Sequence, residues 1–204
     1  MKQEPGFEGC PVMADKLIAF ADESVRVNAA SPMYLIAATI IPENMSLTQL
    51  EEILPKGASK LHWRDLGVKA QRESLSRIAG LEPESTIVVA SPIDPRKQER
   101  ARRKVLEVLL PLLESRGIAK LIMESRFPSA DAKDAALYRS MRKKGLVSAI
   151  DIDFANPAIE HRLWVPDQIL GAFSDTTLGL KPSTAWQQEW DALKGGITVI
   201  EAKP

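Results

Sequence analysis

Short apolar runs, each ended by charged or chain-breaking residues, recur along the sequence. Runs of this length predict buried strands rather than helices. Five of them are Leu17–Ala21, Met33–Ile41, Thr86–Ala90, Ile118–Met123 and Val147–Phe154, and Ile197–Glu201 is a candidate last strand. The first two runs are joined by a short loop with Ser31–Pro32, which predicts an antiparallel hairpin.

Apolar residues at helical spacing lie between the later runs and predict amphipathic helices. One predicted helix begins at Ser46. The others span Val68–Ala79, Arg96–Arg116, Ala130–Lys143 and Leu163–Phe173. Strands that alternate with helices favour parallel pairing in a sheet covered on both faces. The sequence therefore predicts an α/β fold with a mixed five-stranded sheet.

A chain of 204 residues fits one domain with additions. We expect a loose polar lead-in over residues 1–15 and a main domain over 16–175. The main domain carries an insert, 43–84, between the second and third strands. Residues 176–204 form a C-terminal extension, which Trp186 and Trp190 are predicted to pack onto the domain.

The 27 basic and 27 acidic residues cancel, so any site for a polyanion must be a local patch. Arg96–Lys104 and Arg139–Lys144 are candidate nucleic-acid contacts, with a solvated helix face as the alternative for each. The single Cys10 allows no internal disulfide and no Cys-rich zinc site. The longest apolar run is too short to span a bilayer, and the N-terminus lacks the apolar segment of a signal peptide. We expect a cytoplasmic protein with no membrane partner; the oligomeric state is left open.

Three acids stand out by position: Asp22 after the first strand, Glu124 after the fourth, and Asp167 on the last helix. If the first and fourth strands are neighbours, Asp22 and Glu124 lie side by side and the helix brings Asp167 across them. Two carboxylates ~4 Å apart repel by roughly 4 kcal/mol at an effective dielectric of about 20. Protonation or a divalent cation would relieve this repulsion. Oxygen ligands alone favour Mg²⁺ or Mn²⁺, which can support phosphodiester cleavage.

Each acid also has a simpler explanation. Asp22 could cap a turn after its strand, and Glu124 could pair with Arg126. Asp167 could be favoured by the dipole of the helix that it opens. Only their combination points to a metal site.

His62 lies in the unusual segment Lys60–Leu66, between Leu61 and Trp63. It could assist proton transfer or contact a phosphate near the acids, or it could simply pack in an irregular segment. His161 is predicted to be structural or exposed. Asp151 and Asp153 on the fifth strand could add a fourth acid, although edge-strand polarity explains both. The sequence has no glycine-rich phosphate loop, GxSxG, HExxH or CxxC motif, which argues against a P-loop enzyme, a serine hydrolase and a zinc enzyme.

Several of these segments together resemble a widespread family of uncharacterised bacterial and phage proteins with a ribonuclease H-like fold. That family usually opens with Asp-Glu-Ser-Gly and closes with Leu-Gln-x-Ala-Asp-x-x-Ala-Gly. The matching segments are Asp22-Glu23-Ser24, the strand Tyr34–Ile41, the His62 segment, Glu124 and Leu163–Ala172.

The resemblance covers roughly residues 17–175 and implies that Asp22, Glu124 and Asp167 form an acidic, nuclease-like cluster. Val25 replaces the usual glycine, and Trp164 and Pro166 replace the usual Gln and Ala. The turn after the first strand and the packing beside Asp167 must therefore differ from the family pattern. Two hypotheses follow: a nuclease or phosphodiesterase that uses Mg²⁺ or Mn²⁺, and a catalytically silent module of the same fold that binds protein or nucleic acid.

Overall fold

The computed structural model describes residues 17–42, 45–179 and 185–203. They form a six-stranded sheet in the order β5-β4-β1-β2-β3-β6. The strands are β1 (Leu17–Arg26), β2 (Met33–Ile40), β3 (Glu84–Ala90), β4 (Ile118–Glu124), β5 (Asp151–Ala155) and β6 (Ile197–Ala202). The helices are α1 (Thr48–Glu51), α2 (Val68–Ala79), α3 (Gln98–Ser115), α4 (Pro128–Lys143), α5 (Trp164–Leu178) and α6 (Gln187–Leu193).

The first three strands form an antiparallel meander, and the other three are added in parallel. β4 pairs with β1 and β5 with β4, while β6 pairs with β3. The predicted hairpin and the parallel pairing of the later strands are confirmed, and the topology resembles the ribonuclease H-like layout. The predicted count of five strands is wrong, because the candidate at the C-terminal end is a sixth strand. Several side chains of this strand are exposed, Val199 among them, so the alternation of apolar and polar residues that indicates a strand is weak.

Helices cover both faces of the sheet, as the alternation of strands and helices predicts. One core lies between the sheet and helices α3 and α4, and it takes Ala19 and Ala21 from β1. The other core lies under α2, α5 and α6, and it takes Phe20 from the same strand. Consecutive β1 side chains therefore enter different cores, as strand geometry requires.

β1 is longer than the sequence predicted: it continues to Arg26, through residues expected to form a loop. β2 pairs with β1 as far as Arg26, opposite Met33, whereas the pairing with β4 stops at Ala21, opposite Met123. The hairpin thus projects past the end of β4. We call this step, between residues 22–26 of β1 and the end of β4, the notch.

Other boundaries also move. The helix predicted from Ser46 is α-helical only over Thr48–Glu51, and the last long helix continues to Leu178. β5 begins at Asp151 rather than Val147, because backbone N–H groups just before it, from Ser148 to Ile150, donate to Glu114. These bonds lower the pKa of Glu114 to about 2. The expected lead-in, 1–15, lies outside the described residues, and none of the described helices is long and apolar enough to cross a membrane.

Candidate acidic site

The notch holds a cavity of about 330 Å³. Its charged and titratable lining comes from both faces of the sheet, since β1 has no β4 neighbour there. The charged and titratable side chains that line it include Asp22, Glu124, Lys60, His62, Arg64 and Arg126. The structure thus brings the predicted Asp22 and Glu124 into one cavity, together with the predicted His62.

Asp22 points to the face of the sheet that α5 covers, as Phe20 does. Its Oδ1 accepts the backbone N–H of Glu23 at 2.7 Å, and both residues belong to a continuous strand, so Asp22 does not cap a turn. Burial raises its pKa well above the ordinary value, and the nearby charges of Asp167 and Glu124 raise it further. Lys60 and the Glu23 N–H only partly oppose this rise. The site therefore disfavours the ionised form of Asp22.

Glu124 ends β4 on the other side of the notch. Its carboxylate accepts a hydrogen bond from the Lys60 ammonium at 2.7 Å. The alternative pairing with Arg126 is not formed, since Arg126 binds Glu99 and Asp134 instead. Burial alone would lower the pKa of Lys60, but its bond to Glu124 and the charge of the acids raise it. Lys60 thus places a positive charge within the acidic cluster, a role that was not predicted from the sequence.

Asp167 lies in the first turn of α5, and both of its oxygens accept hydrogen bonds. Oδ1 is 2.8 Å from His62 Nδ1, and Oδ2 accepts from the Trp63 backbone N–H at 2.7 Å and from Gln168 Nε2 at 3.0 Å. Asp167 lines a small adjoining space of about 20 Å³, which it shares with His62 and Arg64. The residue is close enough to Asp22 to repel its charge, and it also fastens the 62–63 segment to α5.

His62 approaches the acids as predicted, and its bond to Asp167 raises its pKa, although burial opposes the rise. Two further contacts fix the segment that carries it. Trp63 Nε1 donates to Asp175 at 2.9 Å, and Gln71 Nε2 donates to the Trp63 carbonyl at 3.0 Å. A β-carbon on Gly171 would lie 2.0 Å from Cγ of the Trp63 ring, so only glycine allows α5 to come this close. The glycine that ends the closing motif thus has a packing role.

The opposite face of β1 carries a different charge cluster, centred on Arg102. This guanidinium is 3% exposed; it contacts Glu23 and pairs with Asp134 at 2.8 Å. Tyr34 also donates its hydroxyl to Glu23. Arg102 therefore does not belong to the predicted basic patch Arg96–Lys104, and that part of the prediction is wrong. Its spacing of three, seven and eleven residues from apolar positions of α3 places it on the buried side of the helix; those positions are Val105, Leu109 and Leu113.

The two basic segments lie at opposite ends of the sheet. α3 and α4 each follow a strand and run back along the sheet, so Arg96–Lys104 is near the carboxyl ends of the strands and Arg139–Lys144 is near the amino ends. Lys97, Arg100 and Lys104 line a separate cavity of about 210 Å³. Joint use of both segments by one short ligand is therefore not favoured by the fold.

The remaining candidates lie away from the notch cavity. Asp151 and Asp153 are exposed on β5 and pair with Arg142 and Lys120, so neither supplies a fourth acid. His161 stacks on Trp164 and bonds to Glu51, in agreement with a structural role.

The carboxylate oxygens of the site are suitable ligands for a hard cation, but they are not arranged as a complete ligand set. Asp22 and Glu124 offer oxygen ligands in one cavity, and the unbalanced charge of Asp22 would favour a cation there. Asp167 is held by N–H donors, and Lys60 is on Glu124. Among residues 17–42, 45–179 and 185–203, no group of three or more His, Cys, Asp or Glu side chains is arranged so that it could hold a metal ion.

Comparison of the chain with models of known protein families finds no match, and a search of curated proteins finds no relative.

Proposed function

We propose that this protein is a divalent-metal-dependent phosphodiesterase, with nucleic acid as its substrate, that works at the notch. The observation that supports it most strongly is Asp22, whose ionised form is disfavoured by burial and by two neighbouring acids, while Lys60 and the Glu23 N–H only partly oppose the effect. A site that keeps such a charge in a cavity is typical of a binding or catalytic centre. The resemblance to the ribonuclease H-like family with Asp-Glu-Ser-Gly and Leu-Gln-x-Ala-Asp motifs supports the same assignment.

In this proposal Asp22 and Glu124 hold Mg²⁺ or Mn²⁺, and Asp167 completes the site. The bound ion would supply positive charge that activates water and stabilises the leaving oxygen of a phosphodiester. Lys60 neutralises Glu124 in the protein without metal, and its ammonium would be available to a phosphate if Glu124 held the ion. Because Asp167 engages Nδ1 of His62, Nε2 is the nitrogen that faces the substrate, where the protonated ring can stabilise a phosphate or donate a proton.

The test is cleavage of labelled single- and double-stranded DNA and RNA in Mg²⁺ or Mn²⁺. We expect Asp22→Asn to reduce cleavage at least about 100-fold, since the carboxylate contributes several kcal/mol to metal-assisted catalysis. Asp153→Asn is the matched control, because it removes an exposed acid at a strand outside the cavity. Equal rates for Asp22→Asn and the parent protein would refute the assignment.

One observation favours the second candidate, a silent binding module of the same fold. Asp167 is fully engaged in holding the 62–63 segment, and the three acids do not form a ready-made ligand group. A silent module predicts that Mn²⁺ leaves the melting temperature unchanged, whereas an ion bound only by the folded protein raises it. Thermal melting with and without Mn²⁺ separates the two candidates.

A further inference from the structure

Two arginines, Arg26 and Arg64, lie at the open side of the notch. Arg26 is the last residue of β1 and, four residues after Asp22, points to the same face of the sheet. Arg64 lies in the short turn after His62 and is exposed. Both arginines line the small space that contains Asp167, and Arg64 lines the notch cavity as well. Their guanidinium groups thus flank the acidic site.

These arginines lack the carboxylate contacts that arginines in the interior of this protein have. Within the described residues neither side chain forms a hydrogen bond or an ion pair, and the buried Nε of Arg26 has no hydrogen-bond partner. Asp175, whose charge acts on Arg26, accepts a hydrogen bond from the Trp63 indole at Oδ2. By contrast, Arg102 and Arg126 on the other face are each bound by acids.

The two guanidiniums are also close enough to repel each other. Burial lowers the pKa of Arg26 from its ordinary value, and the charge of Arg64 lowers it further, while Asp175 and Asp167 only partly oppose the effect. Two neighbouring cations without a paired acid cost free energy in the free protein. An anion placed between them would remove that cost.

We propose that Arg26 and Arg64 form a phosphate-binding subsite, which holds the phosphate next to the one that is cleaved in a nucleic-acid strand. The planar fork of each guanidinium matches phosphate oxygens, and a shared phosphate satisfies both arginines at once. The subsite rests on the proposed function for its substrate, and it places positive charge beside the acids where it can attract a polyanion.

The experiment measures binding of a fluorescent single-stranded oligonucleotide by anisotropy. It uses Asp22→Asn protein without divalent metal, so that cleavage does not interfere. In that background we expect Arg64→Gln to weaken binding about 10-fold and to reduce the slope of log K against log salt by about 0.7, the value for one lost phosphate contact on a single strand. Arg64 is exposed, so its replacement does not threaten folding. Arg26→Gln should give the same loss, and its melting curve shows whether the variant is folded.

Arg72→Gln is the matched control, since Arg72 is also exposed but lies on α2, where it pairs with Glu189. It should leave the affinity and the salt slope unchanged. Arg64→Lys should keep the salt slope and lose part of the affinity, because it keeps the charge without the fork.

The subsite is overturned if Arg64→Gln binds as tightly as its Asp22→Asn parent, or if that parent binds no oligonucleotide. The proposed function is judged separately, by cleavage with the native Asp22. Binding that depends on Arg64, without any metal-dependent cleavage, would support the subsite and refute the phosphodiesterase.

Discussion

Asp22 and Glu23 are neighbours on one strand, yet they face opposite sides of the sheet and have neighbours of opposite charge. Burial raises the pKa of Glu23, but Arg102 and Arg126 pull it back. Burial also raises the pKa of Asp22, and the neighbouring charges with the largest effect, those of Asp167 and Glu124, raise it further. Lys60, whose charge partly opposes the rise at Asp22, is bonded to Glu124.

The difference separates a charge cluster that supports the fold from one that supports a function. On the Glu23 side each buried charge meets an opposite charge, so the cluster is complete without a ligand. On the Asp22 side the protein keeps a repulsion that folding alone does not need. Removal of a buried charge should therefore have opposite effects on stability on the two sides.

The largest effect is expected from Arg102→Leu. Removal of this guanidinium leaves Glu23 and Asp134 buried without their main partner, which typically costs about 3–5 kcal/mol. Urea denaturation measures the free energy of unfolding. Arg103→Leu, one position along the same helix, is the control, because Arg103 is exposed and pairs only with Glu107; its change should stay within about 0.5 kcal/mol. A loss of less than about 1 kcal/mol for Arg102→Leu would mean that the cluster is not what stabilises this face.

An intermediate effect is expected from Gly171→Ala on the other side. The new methyl group would overlap the Trp63 ring, and overpacking of this kind typically costs about 1–3 kcal/mol. Because Trp63 and His62 are fastened to Asp167, the displacement should also weaken any stabilisation by Mn²⁺. Gly195→Ala, at a glycine with nothing within 4 Å of the new carbon, is the control. If the two variants unfold at the same urea concentration, α5 does not need its close approach to Trp63.

The smallest effect, and the only favourable one, is expected from Asp22→Asn in metal-free buffer. A carboxyl whose pKa is raised in the folded protein costs stability as the pH rises from the unfolded pKa, about 3.9, through the raised folded value. At pH 7.5, well above the unfolded pKa, the carboxyl opposes folding, so the amide should stabilise the protein by about 1 kcal/mol, which raises the melting temperature by roughly 2–4 °C. At pH 3 the two proteins should melt together. A variant that melts lower than the parent at pH 7.5 would show that Asp22 is already balanced.

The sequence was sufficient for the features that depend on local pattern. Apolar runs and helical spacing located most strands and helices, and the positions of Asp22 and Glu124 after their apolar runs predicted that they meet if β1 and β4 are neighbours, as they are. It failed where the outcome depends on distant partners. Nothing in the sequence near Lys60 indicates Glu124, which lies 64 residues away. The extent of β1 is likewise set by β2 on one side and by the early end of β4 on the other, and the polar residues after Ala21 conceal it.

The two-residue alternation of β1 has a consequence for how the site is specified. A shift of β1 by one residue against β2 would exchange Asp22 with Glu23, and the acids and the arginines would each meet the wrong carboxylate. The same shift would move Phe20 into the core that now holds Ala19 and Ala21, where the space is that of small side chains. The sizes of the apolar side chains in the first half of the strand thus fix its register. The hydrophobic core thereby determines which carboxylate reaches the notch.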